Sequence, residues 1–401
     1  MSSPFPPIAP PTTLRKDGRD RVVTMPLALV FFANLLQAMS FFLFIHLPGF
    51  LEDLGASSVA VGMIVALTAM AAVVTRPLIG KYIDTTGRRP IALIGCVLNL
   101  VVVLLYLTVT ALGPWLYVIR ILHGAAEAIL FTALFTMGAD IVPASRRTEG
   151  LALFGVSGLL PIALGGLVGD LVLAGGSFQR VFLTAGAFAV GALVMTLLVG
   201  EPVIEAREGQ RSGLLGVIRQ RNLLPIWWIV GMFSVVLTAY FAFIRTFVDA
   251  TGIGTVGLFF SFYAGSAILL RLGFGWLPER IGERRVLLPS LGALVLGFVV
   301  LAGATGGVHI AVAGAFCGIG HGYAFPITFA MVVNRATVDD RGTALGFFTA
   351  LFDLGTLIGG PILGAIIGIA GYGTMFLVCA VVMAMATVVY AMWDTRTLQV
   401  T

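Results

Sequence analysis

Residues 91–119 and 286–334 of this chain contain no Asp, Glu, Lys or Arg. An apolar run of roughly 18 or more residues is long enough to cross a bilayer as a helix. Hydrocarbon offers backbone amides no hydrogen-bond partner, so continuous helix is the structure that survives there. Period-2 segments of about ten residues, the mark of a membrane β-barrel, are not seen. Hydrophobic residues make up 59% of the 401 residues and charged ones 11%, whereas soluble domains stay near 45–50% apolar. The expected fold class is therefore an all-α membrane protein.

Twelve spans are expected, near 25–47, 58–80, 90–111, 115–138, 149–173, 179–199, 224–248, 255–277, 286–305, 308–333, 342–369 and 372–393. The clearest interruption begins at Gly200, GEPVIEAREGQRSGLLGVIRQRN, and divides the spans six and six. The organisation is thus a tail at 1–23, a six-helix bundle at 24–199, a linker at 200–223, a second bundle at 224–394 and a tail at 395–401. Lys and Arg outside the spans collect on one side: the tail, 80–90, Arg146 and Arg147, the linker, Arg280, Arg284, Arg285, Arg335, Arg341 and Arg396. The opposite side holds Arg180 alone. The positive-inside bias makes the basic side cytoplasmic, with both termini there, in a multi-pass protein of the cytoplasmic membrane. The net charge of +5 is explained by this topology, and nucleic acid is not expected as a partner. The Pro-rich N-terminal segment has no apolar stretch followed by a cleavage site, so it reads as a disordered cytoplasmic tail. Cys96, Cys317 and Cys379 lie inside apolar spans and read as small core residues.

A polar device appears twice. Arg76-x3-Gly80-x3-Asp84-x2-Gly87 has the same spacing as Arg271-x3-Gly275-x3-Glu279-x2-Gly282, about 195 residues later, each at the basic end of an even-numbered span. RRTEGLALFG from Arg146 aligns with DRGTALGFF from Asp340, which sets Gly165-Gly166 against Gly359-Gly360 and Asp140 against Asn334; the His-Gly pair at His123 recurs at His321. Internal repetition of six-helix halves is a transporter architecture, with the substrate site near the midplane between halves. On these residues the chain resembles the major facilitator superfamily. Gly80, Asp84, Gly87, Arg88 and Arg89 match its loop 2–3 signature G-x-x-x-D-x-x-G-R-R. Arg120 and Gly124, in RILHGAAEA, resemble the fourth-helix motif of its proton-driven drug antiporters. The fifth-helix motif departs from that group, with a shifted proline in GVSGLLPIALGG from Gly155. The resemblance covers essentially residues 22–395 and implies twelve helices in two pseudo-symmetric bundles.

The buried charges are the candidate working parts. Glu127 lies near the middle of helix 4, where a carboxylate costs ~2.5–3.5 kcal/mol on insertion scales or is protonated. Arg120 shares its helical face two turns away, so the pair can bind and release a proton, form a static structural pair, or touch substrate. Asp353 is the other deep acid. The superfamily architecture sets helices 2 and 11 side by side, so Arg76 is expected to bridge to Asp353, with a second protonation site as the other reading. Arg271 is expected to face helix 5, which carries no acid at that depth. Asn34, Gln37 and Ser40 share a face of helix 1; the resemblance makes them cavity-lining, and helix–helix hydrogen bonding is the rival use. His123, His321, Tyr263 and Tyr323 join the candidate cavity. Gly80, Asp84, Gly87, Arg88, Arg89, Asp140 and Arg76 form a candidate conformational latch at the basic side, the N-terminal copy being the stronger. Gly360, Gly364 and Gly368 form a close-packing stripe on helix 11.

No P-loop is present, since Gly80-Lys81 lacks an upstream glycine-rich loop and a following Ser or Thr. No cofactor or metal and no enzyme activity are expected; the energy source is the proton gradient. The function expected is export of a small molecule, drug or metabolite, in exchange for protons by a monomer surrounded by membrane lipids. The alternative is a proton-coupled or facilitative importer, with an anionic solute held by Arg120 and Arg245.

Overall fold

The computed structural model describes residues 23–142, 147–201, 214–337 and 340–400, except for the side chains of 77, 80, 81, 84, 85, 147–149, 151, 152, 341, 342 and 395–400. No strand occurs among the described residues. Eleven helical segments are long and apolar enough to cross a membrane. We number them α1 (Met25–Asp53, with a 3-10 turn at Leu43–His46), α2 (Ser58–Thr86), α3 (Arg88–Leu105), α4 (Pro114–Ile141), α5 (Arg147–Leu173) and α6 (Phe178–Leu198). The second set is α7 (Leu224–Thr251), α8 (Val256–Phe274), α9 (Glu283–Ala302), α10 (Gly307–Arg335) and α11 (Arg341–Val400). A straight helix as long as α11 would far exceed a bilayer of about 30 Å. It is broken at Gly371, whose φ of 80° and ψ of 173° are not helical. That break falls where the sequence separates its last two expected spans, and we call the two parts the first and second limbs.

The helix ends follow from local chemistry. Thr24, Ser57 and Thr255 accept the N–H groups of Leu27, Ala60 and Leu258, capping α1, α2 and α8. Proline stands in the first turn of α1, α4 and α7, where its missing N–H removes no helical bond. Gly87 and Gly282 sit at φ of 103° and 102°. These repeat-related positions need glycine, because left-handed backbone is costly for other residues. Gly87 turns α2 into α3, and Gly282 turns the short helix Leu277–Ile281 that follows α8 into α9.

The first six helices and the later ones meet along two lines, α2 against the first limb of α11 and α5 against α8. A Cβ on Gly62 would overlap the Gly360 carbonyl oxygen, and one on Gly364 would overlap that of Ser58. The repeat carries this crossing to the other line, where a Cβ on Gly166 would lie 3.2 Å from the Cα of Gly257. Of the expected stripe on α11, Gly360 and Gly364 are used in this way, whereas Gly368 faces open space. The buried core includes Cys96, Cys317 and Cys379 as free thiols. Leu171, Leu269, Leu272, Val308 and Ile369 are among the apolar side chains turned outward, as a lipid-facing surface requires.

Gly360→Val is expected to force these backbones apart, with an overpacking penalty of roughly 1–3 kcal/mol and a lowered melting temperature in detergent. Gly265, with nothing within 4 Å of its Cβ position, supplies the control: Gly265→Ala should melt with the wild type. Equal melting of both variants would show that the crossing is not tight.

Candidate functional site

At the centre of the α2–α11 line, Arg76 of α2 donates through Nε to Asp353 of α11 at 2.6 Å and through Nη2 to Glu127 of α4 at 3.3 Å. The bridge expected between Arg76 and Asp353 is present, and Glu127 joins it. All three side chains keep about one-seventh of their surface accessible, at 14%, 16% and 15% for Arg76, Glu127 and Asp353. Phe131, one turn beyond Glu127, lies under the guanidinium with its centroid 5.0 Å away. Two glycines allow the approach. Gly124, one turn before Glu127, lets α4 contact α2, since its Cβ would overlap the Thr68 carbonyl oxygen; Gly360 does the same for α11.

Arg120 is not the partner of Glu127. It donates to the Ile64 carbonyl at 3.2 Å and to Tyr106 Oη at 3.3 Å, and Tyr106 Oη bonds His123 Nδ1 at 3.2 Å. The physical reason is distance: seven residues of helix span about 10 Å along the axis, so a shared face does not bring these two groups together. His123 is fully buried, with Phe44 edge-on at 4.4 Å, and so is packed in the core of the first half rather than facing an opening.

The polar row of α1 is divided among neighbours. Asn34 donates to Ser157 of α5 at 2.8 Å, and Ser40 accepts from Asn99 of α3 at 3.3 Å. These two serve helix–helix bonding. Gln37, also buried, retains an Oε1 without a hydrogen-bond partner. Tyr263 and His321 hydrogen-bond each other through Oη and Nδ1. Tyr323 is spent on the Phe274 carbonyl, at 2.6 Å. Arg271 turns to α10, where its Nε donates to the Gly322 carbonyl at 3.0 Å, and not to α5.

At the basic face, Arg88 donates to Asp140 at 3.0 Å and to the Ile83 carbonyl at 3.0 Å. The side chains of Gly80 and Asp84 lie outside the described residues. Sequence reasoning missed Glu201. Its carboxylate accepts the backbone N–H groups of Arg88 and Arg89 at 2.6 and 3.0 Å, capping the N-terminus of α3. The only signal was an acid directly after α6, close to a helix start that lacked a capping side chain. Arg89 donates to the Leu197 carbonyl at 2.9 Å. The second copy keeps the same contacts with altered chemistry. Arg284 donates to the Ala391 carbonyl at 2.6 Å, and Asn334 donates to Glu283 at 3.2 Å where Arg88 meets Asp140. Fully buried Asp394, also missed, is held by Arg335 at 2.5 Å and lies 4.0 Å from Arg284. The second copy thus carries a further acid beside Glu283. These pairs each join helices of one half.

At the opposite face two contacts cross between halves, Arg245 with His46 and the Gly257 amide with Asp170. The ring of His46 is hydrogen-bonded through Nε2 to the Gly166 carbonyl at 3.2 Å, and Arg245 Nη1 lies 3.4 Å from its Nδ1. Arg245 also donates to Asp249 at 2.6 Å. Asp170 accepts the N–H of Gly257, at the start of α8, at 2.6 Å. This structure is therefore closed at the face opposite the arginines, and Arg245 belongs to that closure.

The family model described as "Major Facilitator Superfamily" matches residues 27–307 and 249–400. The chain is 25% identical to the uncharacterized MFS-type transporter YhhS of Salmonella enteritidis PT4 (strain P125109) over 355 residues, 85% of each chain. It is 27% identical to the uncharacterized MFS-type transporter PA1993 of Pseudomonas aeruginosa over 343 residues, 82% of this chain and 83% of that protein. The crystal structure of the nucleoside transporter NupG superposes with a TM-score of 0.76 over 92% of this chain and 99% of that one, at 15% identity; that likeness concerns the fold.

Arg76→Gln leaves two carboxylates facing each other without a cation, a loss of about 3–5 kcal/mol for a broken buried pair. Glu127→Gln keeps the Arg76–Asp353 bridge. Thermal denaturation in detergent should therefore show a large drop for the first variant and a small one for the second; equal drops would remove Arg76 from its central place.

Proposed function

The chain belongs to the major facilitator superfamily, and from that premise we propose that it is a proton-coupled carrier of small molecules in which Glu127 takes up and releases the proton. The observation that carries this reading is the sharing of one guanidinium by two carboxylates, Glu127 and Asp353, within membrane-spanning helices. One cation neutralises one acid, so the cluster has room for one proton. Asp353 holds Arg76 at the shorter distance, and Glu127 is the acid with the looser contact. With Glu127 charged, Arg76 ties α2, α4 and α11 together across the halves. With Glu127 protonated, one tie between α2 and α4 is released while the other remains. Alternating access then proceeds by rocking about the glycine crossings, with the closure at His46, Arg245 and Asp170 opening as the basic face shuts.

We take the basic face as cytoplasmic and the direction as export, the solute leaving a monomeric carrier in exchange for protons. A second reading, proton-coupled uptake of an anion, is favoured by one observation: Arg271 meets a carbonyl rather than an acid. The two readings differ in the sign of the coupling, because exchange moves solute and protons oppositely and co-transport moves them together.

Proteoliposomes with a trapped pH indicator test both, using solutes that raise the melting temperature of the purified protein. In wild-type vesicles, solute added outside should alkalinise the lumen for exchange and acidify it for co-transport. Glu127→Gln should retain solute exchange at equal concentrations and lose the proton signal. Proton-driven accumulation by Glu127→Gln would remove Glu127 from the coupling.

A further inference from the structure

The two repeats place Arg76 and Arg271 at corresponding positions, yet their surroundings differ. The His-Gly correspondence carries Glu127 to Phe325, and the Gly-Gly correspondence carries Asp353 to Leu159. Both acids that hold Arg76 are thus replaced by apolar residues around Arg271. Among the described residues, the one hydrogen bond of Arg271 is that from Nε to the Gly322 carbonyl. Gly322 permits it, because a Cβ there would lie 3.1 Å from the Cα of Ala267 on α8. The carbonyl fixes the plane of the guanidinium and leaves the two Nη groups without a described acceptor. Arg271 stands in the last turn of α8, where the helix dipole favours a cation, yet a guanidinium in a membrane-spanning helix still calls for a counter-charge.

The direction of the side chain tells where that counter-charge would come from. Phe262, Leu269 and Leu272 form one exposed, lipid-facing side of α8, and Phe274, the last residue of the helix, is exposed as well. At roughly 100° per residue, Arg271 projects away from that side, along the face of buried Phe260, Ala264 and Ala267. It nevertheless keeps part of its surface accessible. Its guanidinium lies on the side of α8 that meets α10 at Gly322. The neighbouring groups are aromatic and uncharged. His321, next to Gly322, has Phe233 edge-on at 5.3 Å and Phe325 at 6.0 Å, and Phe325 has Phe352 at 5.3 Å.

We propose that Arg271 anchors the transported solute through a carboxylate, and that the solute is an amphiphilic anion whose apolar or aromatic body rests on the Phe233, His321, Phe325 and Phe352 cluster. The planar fork offers its two Nη donors to the two oxygens of a carboxylate. A cationic solute would meet repulsion at this position. The inference rests on the reading of the chain as a transporter, and on neither its direction nor the role of Glu127.

Equilibrium binding to the purified full chain in lipid nanodiscs tests it, with three probes of one shape: naphthalene-1-acetate, its neutral amide, and 1-naphthylmethylamine. The wild type should bind the acid about tenfold or more tighter than the amide or the amine. Arg271→Gln should lower acid binding to the level of the amide and leave the amide unchanged. Phe325→Glu, which supplies the acid that the second repeat lacks, should abolish the preference in a protein that retains its cation. Acid binding by Arg271→Gln equal to the wild type, equal binding of acid and amide by the wild type, or no saturable binding of the acid each overturns the proposal. A wild type that binds the acid but moves no protons would overturn the coupling at Glu127 and leave the anion site standing.

Discussion

Contact between backbones at a few glycines is the constraint on which the remaining architecture depends. Between apolar helices in lipid there is no hydrophobic gain from association, so close packing and polar bonds must supply it. Gly62 against Gly360, and Gly166 against Gly257, bring helices from the two halves together with no side chain between them. At such a distance, short polar reaches become possible: Arg76 to Asp353 on one line, and Asp170 to the Gly257 amide on the other. A side chain at one of these glycines would lengthen the reach on its own line. The same crossings are smooth enough for one half to turn on the other, which a knobbed interface would resist.

The two lines are built alike and used differently. On the α2–α11 line, the interior charge is an arginine shared by two acids, and on the α8 side it is an arginine set among rings and a carbonyl. Duplicated halves begin with equal parts; what separates their roles is which charges keep a partner. The second arginine gives the interior a positive end opposite the acidic one.

Much of the fold was legible because its causes are periodic or compositional. Long uncharged segments mark the helices, and Gly87 and Gly282 mark the turns after the two repeat arginines. The Arg76–Asp353 bridge was legible once helices 2 and 11 were set side by side. What failed was inference along a single helix. Arg120 and Glu127 share a face, but a face is long, and Tyr106 with the Ile64 carbonyl reaches Arg120 first. Asn34 and Ser40 also share a face, yet α5 and α3 divide them. Glu201 and Asp394 were missed because their partners come from remote chain positions and include backbone amides, which no residue pattern advertises.

The inverted pair at the basic face bears on how the chain assembles. Arg88 with Asp140 in one half corresponds to Glu283 with Asn334 in the other. Homologous halves inserted one after the other carry a hazard known from repeat proteins, in which a helix docks into the wrong copy of its own site. Here a wrongly docked α9 would bring Glu283 against Asp140, two like charges, and a wrongly docked α3 would leave Arg88 facing a neutral amide. The unlike charges of Arg88 and Glu283 at corresponding positions would thus favour each helix in its own half over its twin.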